Sequence, residues 1–261
     1  DVLGSRGLGD VYKRQIKDYL HISEAGYDFA ELDIPEIEKL SEEAFEELKH
    51  TVRTGVPVLT GARLLPLSEP LFFTEGYDPE SLRAYLEKAC ERTAQLGIKA
   101  VILGNGKARW LQSETDREKE DIFIKSLRLM AQTAEKNGQK LILEPLGPKY
   151  SNYINTVAQA VQLIKKVDAP NLYTMADLRH MVWAEEPFRD IEEYLPYIHH
   201  IHIDYPLSYP ERRYPSAEDD YDYSAFLNSL KQAGYQGTLT IEADIPADWN
   251  QAYRQAMGVI L

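Results

Sequence analysis

Short apolar runs alternate along most of the chain with longer stretches in which apolar side chains recur at helical spacing. The run IKAVILGNG is apolar at nearly every position, and LILEPL, NLYTMADL, IHHIHID and GTLTIEAD are similar. A strand covered on both faces reads this way, which is the situation of parallel strands. The pattern predicts seven strands, at 30–34, 56–60, 99–103, 140–144, 172–177, 198–203 and 238–242. Between them lie amphipathic stretches such as SEEAFEELKHTVRTG, opened by Ser41, and DPESLRAYLEKACERTAQLG. Strict alternation of strand and helix implies a parallel sheet with right-handed crossovers.

The fold class expected is therefore α/β, a TIM (β/α)8 barrel, and its length of 261 residues suits a single domain of that kind. An eightfold barrel needs one more strand ahead of the helix at 16–29. The stretch DVLGSRGLGDVYKRQ occupies that place and shows no clear periodicity. Residues 1–15 are thus read as an atypical, non-native or disordered stretch that has replaced the first strand, and 16–261 as one barrel domain. Either Asp10 to Lys13 stands in as a poor strand or the barrel keeps a gap. Both outcomes weaken the seam between the first and last strands.

Apolar residues make up 44% of the chain and charged residues 27%, an ordinary balance for a globular protein. The 29 basic and 42 acidic residues leave a net charge of −13, which repels phosphate backbones and argues against nucleic acid as a partner. Cys90 is the only cysteine, so no disulfide is possible within the chain, in keeping with a reducing cytoplasmic setting. No apolar run approaches the roughly 20 residues that cross a membrane, and no signal-peptide pattern opens the chain. A homo-oligomer is compatible with this composition and not specified by it.

Four predicted strand ends carry chemistry: Glu144, Asp177, His202 and Glu242. A barrel gathers its strand ends at one rim. Three carboxylates and one imidazole there form an oxygen-rich site that suits one divalent cation, Mn²⁺ foremost, with Mg²⁺, Co²⁺ or Zn²⁺ as substitutes. Such an ion depresses the pKa of each carboxylate that binds it. Each residue also has a plain reading, since a glutamate ending a strand is commonly a cap or an ion-pair partner. The coincidence of all four on consecutive strand ends favours the metal site.

From Ile16 to Leu261 the chain resembles the xylose isomerase-like barrels, the sugar phosphate isomerase/epimerase superfamily. The resemblance lies in Glu144, in Asp177 followed by His180, in His200 followed by His202, and in Glu242. The segments GYDFAELD and GNGKARW also fit. The ketose 3-epimerase branch implies that Glu144 and Glu242 both ligate the metal and exchange a proton with the substrate from opposite faces. Asp177 and His202 would be ligands only, and His180 would hold a substrate oxygen. His200 shares the parity of His202 and would support the substrate site. The branch often has a glutamate where this chain has Tyr150 and an arginine where it has Ser208. Arg212 and Arg213 lie further along the same loop, and Arg213 is the expected substrate contact.

The function so implied is a divalent-metal-dependent isomerase or epimerase of a small ketose or sugar phosphate. It would remove and return a proton through a metal-stabilised enediolate. The alternatives are a dehydratase of an inositol-derived ketone on the same fold and a non-catalytic degenerate barrel. The six histidines do not supply the extra ligands of a three-zinc nuclease of the endonuclease IV kind, because His21 and His50 fall in helical patterns.

Overall fold

A computed structural model describes residues 8–66 and 69–261, with side chains described from residue 16 onward. Its strands are β1 (Ala30–Asp33), β2 (Val58–Ala62), β3 (Ala100–Leu103), β4 (Lys140–Leu143), β5 (Leu172–Asp177), β6 (Ile198–Ile203) and β7 (Thr238–Ile241). They pair in chain order, each parallel to the next, as a barrel does before it closes. The helices are α1 (Leu8–Ala25), α2 (Ile34–Glu38), α3 (Glu42–Val52), α4 (Arg83–Gln95), α5 (Glu120–Lys136), α6 (Val157–Val167), α7 (Leu178–Trp183), α8 (Asp190–Glu193), α9 (Ser224–Ala233) and α10 (Trp249–Ile260). The seven expected strands are all present, and the whole is a nearly closed TIM barrel.

Asp10 to Lys13 is not a strand: it lies within α1, which runs on unbroken to Ala25. Residues 1–7, the rest of the stretch read as atypical, lie outside the described residues. The helical outcome has a physical reason in the periodic positions Ile16, Tyr19 and Ile22, which pack against the core. The Tyr19 hydroxyl donates to the carbonyl of Val56 at 2.7 Å and so ties α1 to the chain entering β2. Among the described residues, therefore, no strand fills the place between β7 and β1. The helices close that side from outside: His21 stacks on Trp249 at 5.8 Å, Tyr27 meets Tyr253 edge-on, and the Tyr253 hydroxyl donates to the Gly26 carbonyl. All four residues of β7 are only half-buried, whereas β6 is buried at every position but one.

The alternation of side chains along a strand decides what the barrel interior receives. Ile102, Ile142 and Met175 form an apolar cluster of their own with Ala100 and Tyr173. Glu144 and Asp177 each stand two residues beyond members of that cluster, with the same parity, so they point inward above it. Outward positions such as Val101, Leu103, Leu141 and Leu143 join the helices in the main core.

Candidate metal centre

Glu144 follows the last residue of β4, Asp177 ends β5, and Glu242 follows the last residue of β7. His202 lies in β6 directly opposite Asp177 in the strand register. One ligand atom from each of the four lies within 4.8 Å of every other. From His202 Nδ1 the distances are 3.1 Å to Glu242 Oε2, 3.6 Å to Glu144 Oε1 and 3.6 Å to Asp177 Oδ2.

Local structure aims each ligand. Asp177 is the N-cap of α7, and its Oδ1 accepts from the backbone N–H of His180 at 3.0 Å. That use of one oxygen leaves Oδ2 turned to the cluster and without a hydrogen-bond partner. The spacing Asp-x-x-His is thus a helix cap as well as a site motif. His202 is fixed from its other side, where Nε2 lies 2.9 Å from Glu31 Oε1 on β1. The imidazole therefore presents Nδ1 to the three carboxylates, and Nδ1 too has no hydrogen-bond partner. Glu144 is pressed against Gly104, where a Cβ would stand 2.0 Å from Glu144 Oε2. Its carbonyl accepts from Arg109 Nη2 at 2.5 Å, and Arg109, fully buried, also donates to the Tyr153 carbonyl at 3.1 Å.

Buried polar atoms without partners are costly, on the order of 1–3 kcal/mol each. Here they converge on one point from three strands, and the set is hard oxygen with a single nitrogen. A divalent cation satisfies all of them together, so the residues present fit the ion. The ring nitrogen opposite a metal-binding one commonly donates to a carboxylate, which is the place Glu31 takes.

The charges are tightly interlocked. Burial pushes the Glu31 carboxyl up, but His202 and His200 outweigh it and hold it well below the usual carboxylate range. Asp177 and Glu242 are also lowered, against burial, by His180, His202 and Arg212 in the first case and by Arg212 and His202 in the second. His202 is raised well above the ordinary histidine range, because Glu31 and Glu242 overcome its burial. His180 moves the other way, with burial dominant.

The remaining expected residues fall into two groups. His180 is at the rim, with Nε2 3.7 Å from Glu144 Oε1 and 3.8 Å from Asp177 Oδ2. His200 is one step down the barrel and fully buried, with Nδ1 2.6 Å from Thr238 Oγ1 and Nε2 3.1 Å from Glu31 Oε2. It braces Glu31 from beneath the cluster. Arg213 is turned away: its side chain is 54% exposed, lies 3.3 Å from Asp219 and stacks over Tyr205. Its neighbour Arg212 is the one that reaches the site. Arg212 Nη1 stands 2.6 Å from Glu242 Oε2 without an aligned hydrogen bond, and Nη2 is 3.5 Å from His180 Nε2. The loop carrying Arg212 is anchored by the buried Arg179, which donates to Asp204 at 2.7 Å and to the Tyr205 carbonyl at 2.8 Å.

Glu31, Arg109 and Arg179 were not singled out as site residues from sequence. For Glu31 a signal existed, since the alternation in AELD turns it inward with Ala30 and Leu32 outward. Buried arginines leave no comparable mark.

Residues 20–261 match the family described as xylose isomerase-like TIM barrel. The 3-dehydro-D-guloside 4-epimerase of Escherichia coli (strain K12) is 27% identical over 279 residues, covering 98% of this chain and 97% of the relative. Among solved structures, a D-psicose 3-epimerase in the presence of D-fructose aligns with a TM-score of 0.76 at 18% identity, covering 98% of this chain and 92% of its own. The IOLI protein with a binding zinc atom aligns at 0.74 and 21% identity, covering 93% and 90%. The two structures share the fold. Among the described residues no helix is long and apolar enough to cross a membrane.

Proposed function

The chain belongs to the xylose isomerase-like TIM barrel family, and from that premise we propose that it is a divalent-metal-dependent isomerase or epimerase of a small keto-sugar or its phosphate. The relative that matches nearly end to end is named as a sugar epimerase, which supports this class of reaction. The observation that carries the reading is the convergence of four ligand atoms within 4.8 Å, three of them buried with no hydrogen-bond partner.

Glu144, Asp177, His202 and Glu242 would hold the ion, which when bound supplies a Lewis acid for the substrate carbonyl and makes the neighbouring carbon acid. Mn²⁺ is the ion best suited to three carboxylates and one imidazole. Glu144 and Glu242 reach the rim from β4 and β7, on either side of His202, so one takes the proton from the carbon beside the carbonyl and the other returns it. A positioned base and a positioned acid are each typically worth roughly 10²–10⁴-fold. Arg212 beside Glu242 keeps that carboxyl ionised and able to accept a proton. His180, next to Glu144, holds a substrate oxygen through Nε2. Glu31 acts one step back, by holding His202 so that Nδ1 faces the site.

The test is proton exchange. A panel of ketoses and their phosphates is incubated in deuterated water with the protein and Mn²⁺, with a chelator control. Metal-dependent uptake of deuterium at the carbon beside the carbonyl is expected with one sugar class. Uptake that persists in the chelator would remove the metal from the reaction, and none with any sugar would end the reading.

A further inference from the structure

The rim beside His180 carries three aromatic rings that proton transfer does not use. Tyr150 comes from the loop after β4, Trp183 ends α7, and Tyr209 lies in the loop after β6. Tyr150 and Trp183 are stacked at 5.5 Å between ring centres and 19° between planes. Tyr209 stands 5.9 Å from Tyr150 and 5.4 Å from Trp183, so each ring touches both others. The cluster is locked in place. Trp183 Nε1 donates to the Pro206 carbonyl at 2.8 Å, and a Cβ at Gly147 would stand 2.9 Å from Trp183 Cβ, so only glycine lets the chain pass there. Lys149 Nζ covers Trp183 at 4.0 Å.

The cluster has an inner and an outer end. At the inner end Tyr150 meets His180 edge-on at 5.0 Å, and Arg212 lies 5.8 Å from its ring centre, so Tyr150 walls the metal centre directly. Among the described residues its hydroxyl has no hydrogen-bond partner, which leaves it free for a ligand hydroxyl. At the outer end Tyr209 is 51% exposed, with Lys149 Nζ 4.8 Å over its ring, and Leu207, two residues before it, is 50% exposed. An acyclic polyol presents hydroxyls on every side and is best met by carboxylates and amides. A pyranose ring has a flat face of C–H bonds, which an aromatic face accepts.

We propose that Tyr150, backed by Trp183 and continued outward by Tyr209 and Leu207, is a binding platform for a ring-closed keto-sugar, a pyranoside whose anomeric substituent leaves over Tyr209. This deepens the keto-sugar reading of the same rim and rests on it for the reaction, but not for the binding. Tyr150 is on this account a specificity residue, and Glu144 and Glu242 stay the proton carriers.

Titration calorimetry separates the two. The probes are methyl β-D-glucopyranoside, which is ring-closed and has no carbonyl to react, and sorbitol, its acyclic counterpart. On the Mn²⁺-loaded protein the pyranoside should bind roughly tenfold or more tightly than sorbitol, the scale of one good aromatic contact. Tyr150→Ala should remove that preference, Tyr150→Phe should keep most of it, and both should bind Mn²⁺ as the parent does. Equal binding of the two probes, or a preference unchanged in Tyr150→Ala, overturns the platform. If the platform binds but no keto-sugar exchanges deuterium, the reaction class fails and the platform stands. If acyclic ketoses exchange deuterium and pyranosides do not bind, the platform falls and the reaction class stands.

Discussion

Glu31 and His202 stand 171 positions apart in the chain and meet across the barrel, with Glu31 Oε1 2.9 Å from His202 Nε2. The same carboxylate reaches His200 through its other oxygen at 3.1 Å. One residue on β1 thus decides which ring nitrogen β6 offers to a cation. Removing it should weaken Mn²⁺ binding by about 10–100-fold, the usual cost of losing such a support. Glu31→Gln, which can still accept from the imidazole, should lose less than Glu31→Ala. Calorimetric titration with Mn²⁺ reads this directly, and parent-like affinity in Glu31→Ala would contradict the assignment.

Glu144→Gln and Glu242→Gln should each abolish solvent exchange of the substrate's carbon-bound proton. The measurement is deuterium incorporation followed by NMR at saturating Mn²⁺, so that any loss of metal affinity is compensated. Exchange surviving in both variants rejects a two-carboxylate mechanism.

Gly104→Ala should damage the site while sparing the fold. Its Cβ would come 2.0 Å from Glu144 Oε2, so the carboxylate must turn away from the cluster. The expected result is Mn²⁺ affinity reduced by roughly tenfold or more with a circular-dichroism spectrum like the parent's. Unchanged metal binding would show that Glu144 has other room.

Glu186 predicts a pH effect on stability remote from the metal. Its carboxyl is pushed from 4.5 to about 7, chiefly by burial and further by Asp190, while the Val157 N–H bond opposes the shift in part. A carboxyl raised on folding stabilises while protonated. Its contribution is full below about pH 4.5 and fades as pH rises through about 7. Glu186→Gln cannot ionise, so its melting temperature relative to the parent should climb between pH 5 and pH 8. A shift of that size corresponds to at most about 3 kcal/mol. A difference that does not change with pH would refute the assigned shift.

What could be read from sequence follows from strand geometry. Glu144, Asp177, His202 and Glu242 were legible because alternation fixes the inward face and a barrel brings strand ends together. Choosing between Arg212 and Arg213 was beyond that logic. They are neighbours on an irregular loop, where no period assigns a direction, and the anchoring by Arg179 that settles it comes from another element. Arg109 and Arg179 look like surface charges in sequence, yet each is fully buried among backbone carbonyls. Asp10 to Lys13 misled because the missing barrel position invited a strand, while the periodicity downstream belongs to one long helix.

Among the described residues no strand lies between β7 and β1, and this gives the pairing of Glu31 with His202 a second meaning. A hoop cut at one place springs apart unless something clasps it, and here the outer clasp is the contact of α1 with α10. The inner clasp is a carboxylate from one lip fastened to imidazoles beside the other. His202 and Glu242 sit on that same lip, so the residue that holds the seam together also borders the candidate metal centre.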